Sequence, residues 1–66
     1  MRLTVNGQPE SLPDGVTIAD LLQSHSLEGA PCAVEVNREL IPKRQHATHR
    51  LDDGDLIEIV TLVGGG

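Results

Sequence analysis

Met1, Leu3 and Val5 alternate with Arg2 and Thr4, the period of two that predicts a strand with one buried face. Asn6-Gly7 follows as a hairpin turn, because both residues tolerate positive φ. Gln8 to Leu12 returns as a second strand, and Pro9 near its start places it at a sheet edge, where a missing N–H does no harm. Pro13-Asp14-Gly15 closes it. Thr17 with Asp20 three residues on reads as a capping box, so a helix begins near Ile18 and lays Ile18, Leu21, Leu22 and His25 along one stripe. Asp20, Gln23 and Ser24 point away, and Gly29 with Pro31 is expected to stop the helix. Cys32, Val34 and Val36 resume alternation, Asn37-Arg38-Glu39 turns, and Leu40-Ile41 makes a short strand before Pro42. Lys43 to Arg50 is polar, with room for one helical turn. Asp52-Asp53-Gly54-Asp55 turns again, and Leu56 to Val63 is the longest apolar run, bounded as a central strand should be.

The order is strand, strand, helix, strand, short strand, long strand. A hairpin followed by a helix that crosses to the other half of a sheet lets the first and last strands lie side by side. This predicts an α+β chain of the ubiquitin-like β-grasp kind, a mixed sheet of about five strands with one main helix packed on one face. Residues 1–63 form the domain and 64–66 a flexible glycine tail.

Composition narrows the function. At 66 residues there is one domain with a thin stability margin, and without Phe, Trp or Tyr its core must be Leu, Ile, Val and Ala. Stacking on bases is excluded. A formal charge of −5 has the wrong sign for nucleic acid or an anionic membrane. Cys32 is alone, so no internal disulfide or thiolate metal site can form. No apolar stretch is long enough to span a bilayer and no leader pattern opens the chain, which points to a cytoplasmic protein. So small a domain needs its side chains for a core rather than a catalytic pocket. A carrier or binding role fits better than an enzyme.

Gly64-Gly65-Gly66 ends the chain directly after the most apolar strand. At a background of about 7% glycine, such a run falls at a given place by chance roughly three times in ten thousand, so it calls for a reason. A frayed terminus is usually mixed and polar. Three residues without Cβ can thread a narrow channel and carry the Gly66 carboxylate about 10 Å beyond the fold. That carboxylate is a poor electrophile until a partner converts it to something with a good leaving group, as adenylation by ATP would. If Ile57 and Ile59 face the core, then Leu56, Val60 and Leu62 face the other side. One helix cannot cover both faces, so these three residues are candidates for a partner-docking patch beside the tail.

Over essentially its whole length the chain resembles the sulfur carrier proteins of thiamine biosynthesis, the ThiS family. The resemblance lies in Arg2-Leu3-Thr4-Val5-Asn6-Gly7, Thr17-Ile18-Ala19-Asp20-Leu21-Leu22, Val36-Asn37-Arg38-Glu39-Leu40-Ile41-Pro42, and Asp53-Gly54-Asp55-Leu56-Ile57-Glu58-Ile59-Val60 through Gly66. It implies a carrier whose partner, a ThiF-like adenylyltransferase, activates the terminal carboxylate with ATP. Sulfur drawn from cysteine by a desulfurase or sulfurtransferase then gives a thiocarboxylate, which a ThiG-like thiazole synthase receives. By position, Gly66 bears the sulfur, Gly65 is the second residue of the Gly-Gly end, and Gly64 extends it. No cofactor is held permanently. Competing functions are the small subunit of molybdopterin synthase, a carrier for tRNA thiolation, and a ubiquitin-like modifier attached through Gly66.

The remaining signals are weaker. His46 and His49 lack a third ligand for a metal and read as a solvated loop, with Lys43, Arg44 and Arg50 beside them. His25 reads as a partly exposed helix end. Asp52-Asp53-Gly54-Asp55 lacks the spaced acids of a calcium loop, and Cys32 sits in strand alternation as core filler.

Overall fold

Two hairpins of the same kind set the frame. In the computed structural model, which describes residues 1–62, β1 (Arg2–Val5) and β2 (Gln8–Ser11) are joined by Asn6 and Gly7, both at positive φ. Strand β3 (Cys32–Val36) and β4 (Glu39–Ile41) are joined by Asn37 and Arg38, again both at positive φ. A two-residue turn of this handedness matches the twist of the strands it connects. It also fixes register, placing Val5 opposite Gln8 and Val36 opposite Glu39.

The helix α1 (Ile18–Ser24) begins as its sequence predicts. Thr17 Oγ1 accepts from the Asp20 N–H at 3.2 Å, and Asp20 Oδ2 accepts from the Thr17 N–H at 2.9 Å. Its end is a correction: it stops at Ser24, well before Gly29. The left-handed position is taken by Ser26, φ 59°. The Leu27 N–H donates to Leu22 O at 2.8 Å and the Ser26 N–H to Gln23 O at 3.0 Å. That pair of bonds is a Schellman motif, and it carries the usual apolar contact, since Leu27 packs on the core that contains Leu22. Gly29 belongs to a later turn. His25 becomes the capping residue and is exposed, with Nε2 2.6 Å from Glu10 Oε2.

Strand β5 (Leu56–Thr61) lies in the middle of the order β2-β1-β5-β3-β4, parallel to β1 and antiparallel to β3. First and last strands are thus neighbours, as the mixed β-grasp sheet requires. Leu3 and Val5, Val34 and Val36, Ile41, and Ile57 and Ile59 turn one face toward Ile18, Leu21 and Leu22 of the helix, with Leu51 completing the core. A short 3-10 turn, Lys43–Gln45, brings His46 onto this layer. His46 corrects the solvated-loop expectation: it is 7% exposed, its Nε2 lies 3.0 Å from Ile41 O, and its own carbonyl accepts from the Ala19 N–H at 2.8 Å.

Candidate functional site

The opposite face of the sheet has no helix over it among the described residues. Along β5 the alternation is strict: Ile57 and Ile59 are buried, while Leu56 and Val60 are 49% and 56% exposed on the other side. Leu62, just past the strand, is 53% exposed and is held by its N–H donating to Pro31 O at 2.8 Å. The three apolar residues expected on this face therefore lie open. Register adds neighbours to them. Thr4 stands beside Leu56, Ala33 opposite Val60, and Glu35 opposite Glu58.

Leu40 also belongs here, and sequence reasoning treated it only as part of a short strand. It lies opposite Glu35 on β4 and is 62% exposed, because its neighbour Ile41 takes the core side. The signal was present in the alternation of Leu40 with Ile41. What the sequence lacked was the pairing that carries β4 onto the same sheet. Val63, expected at the end of the last strand and of the domain, and Gly64, Gly65 and Gly66 lie outside the described residues.

The acidic turn is structural. Asp55 is buried; its Oδ1 accepts from Asn37 Nδ2 at 2.9 Å and its Oδ2 from the Asp52 N–H at 2.8 Å. Asp53 Oδ1 accepts from the Arg2 N–H at 2.7 Å. These carboxylates are occupied by backbone and asparagine donors, which close the loop ahead of β5. No group of three His, Cys, Asp or Glu suited to a metal exists among the described residues. Cys32 is a free, half-buried thiol packed against the core. It lines a cleft of about 260 Å³ with Leu22, Leu27 and Ala47 between the end of α1 and the 3-10 turn, below the usual size of a small-molecule site. Lys43, Arg44 and Arg50 are exposed.

Comparison with known proteins agrees with this fold. The family model of the ThiS family matches residues 3–66. The sulfur carrier protein ThiS of Bacillus subtilis is 49% identical over 53 residues, covering 80% of each chain. A thiazole synthase of Paramagnetospirillum magneticum is 36% identical over all 66 residues, and the present chain spans 20% of that protein's length. The crystal structure of a thiamine biosynthesis protein (ThiS) from Geobacter metallireducens superposes with a TM-score of 0.83 at 30% identity, each chain fully covered. No helix among the described residues is long and apolar enough to cross a membrane.

Proposed function

The chain belongs to the ThiS family, the sulfur carrier proteins of thiamine biosynthesis, and we propose that it works through the carboxylate of Gly66. A partner adenylyltransferase joins that carboxylate to AMP at the expense of ATP, releasing pyrophosphate. A thiol reductant cleaves the persulfide that a desulfurase or sulfurtransferase makes from cysteine, forming a disulfide and freeing a sulfur nucleophile at the sulfide level, which then attacks the acyl carbon. The C–S bond forms, the C–O bond to AMP breaks, and a thiocarboxylate remains. Glycine suits this role because an acyl carbon flanked by CH2 is open to attack from either side.

The chain is a carrier rather than an enzyme and holds no cofactor of its own. It works in the cytoplasm, with residues 64–66 as the tail that enters the partner. Leu56, Val60 and Leu62 form the surface that docks the adenylyltransferase, and burying them offsets the entropy of ordering the tail, about 1 to 2 kcal/mol per residue. Thiazole synthase is the acceptor, a reading supported by the likeness to a segment of the P. magneticum thiazole synthase.

The observation that carries the proposal is a family match running through the last glycine. Its test is intact-protein mass spectrometry after incubation with adenylyltransferase, ATP, desulfurase, cysteine and a thiol reductant. One oxygen should be replaced by one sulfur at Gly66, and a chain lacking Gly65 and Gly66 should gain nothing. An unchanged wild-type mass, or sulfur on the truncated chain, overturns the reading.

A further inference from the structure

The outer face of the sheet contains an arrangement that stability alone does not favour. Glu35 on β3 and Glu58 on β5 are direct partners in an antiparallel pair, and both are exposed. Residues so placed have Cβ atoms about 5 Å apart on one face, and like charges there are destabilising. Among the described residues neither carboxylate has an ion-pair partner in its own chain. Around the two acids the face is apolar: Leu40 lies opposite Glu35 across the β3–β4 pair, and Leu56 and Val60 precede and follow Glu58 on the same side of β5.

We propose that this face docks its protein partner around an arginine of that partner, seated between the carboxylates of Glu35 and Glu58 and ringed by Leu40, Leu56 and Val60. Two acids side by side present more acceptor sites than a single ammonium group fills well. A guanidinium offers five N–H donors in a planar fork and gives up its hydration more readily. Apolar contacts around it exclude water, which strengthens the attraction between the charges. The repulsion between the two glutamates in the free chain is relieved only in the complex. The leucines and valine supply area, and the acids set register and reject partners whose apolar patch has no cation at its centre.

This inference rests on the carrier reading, since it specifies how the adenylating partner is recognised. It is tested by titrating that adenylyltransferase with the wild-type chain, Glu35→Gln, Glu58→Gln and the double variant, at about 0.05 and about 0.5 M salt. Each single substitution should weaken binding about tenfold and the double about a hundredfold, with the salt dependence of the double much reduced. Thermal unfolding of the double variant should move upward, because the repulsion has gone. A structural role would instead lower stability together with affinity.

Normal affinity and salt dependence in the double variant, while the wild type still acquires sulfur, overturns this inference alone. Self-association of the double variant with undiminished affinity also overturns it, assigning the acids to keeping sheets apart. A wild-type chain that neither binds nor acquires sulfur overturns the carrier reading as well.

Discussion

Asn6 and Asn37 open their hairpins at positive φ, and each also reaches across to β5. Asn6 Oδ1 accepts from the Ile59 N–H at 2.7 Å and its Nδ2 donates to Ile59 O at 3.2 Å. Asn37 Oδ1 accepts from the Leu56 N–H at 3.0 Å, while its Nδ2 holds Asp55. A primary amide is the side chain that tolerates the left-handed region and brings both a donor and an acceptor. Substituting Asn6→Gly keeps the turn and loses both bonds, at a cost of about 1–2 kcal/mol, whereas Asn6→Ala adds backbone strain and should cost about 2–3 kcal/mol. Urea denaturation of the pair checks this; a glycine variant as stable as the wild type means the clasp contributes nothing. The turn was legible in Asn6-Gly7, but a bond to a residue 53 positions away was not. His46 shows the same limit, since nothing local distinguishes an imidazole in solvent from one bonded to the Ile41 carbonyl.

At the scale of elements, the helix illustrates how start and stop signals differ. Its start rests on two residues three apart, so Thr17 and Asp20 announce it. Its stop depends on where the buried stripe runs out. Leu22 is the last buried residue of α1, and Leu27 folds back over it. The chain must then turn at Ser26, although glycine would suit that φ better. Ser26→Gly should therefore stabilise the protein by about 0.5–1 kcal/mol, the relief of left-handed strain exceeding the added freedom of the unfolded chain. A lowered unfolding midpoint would contradict this account of the helix end. Strand β5 was more legible than the helix end because its alternation of Ile57 and Ile59 with Leu56 and Val60 needs no partner to be read.

Across the whole molecule, one helix and one sheet leave one covered face and one bare face. Because Val60 is more than half exposed on the bare side, Val60→Asp should leave the fold intact and lower its stability by only about 1 kcal/mol, from weaker strand preference and added like charge. It should slow adenylation of Gly66 about tenfold or more by replacing apolar contact area with a carboxylate that must shed its water on docking. Circular dichroism melting and pyrophosphate release measure the two effects; an unchanged adenylation rate removes Val60 from the docking surface. The sequence alone determined the order of elements, the two-sided pattern of β5 and the glycine ending, because these depend on neighbours at a spacing of two to four residues or on composition. Tertiary structure decided which strands became neighbours, and so set Glu35 against Glu58, placed Leu40 on the bare face and buried His46. The physical reason is range: periodicity tells each residue which side it faces, but only the closed sheet, held by β1 lying parallel to β5, decides what stands beside it.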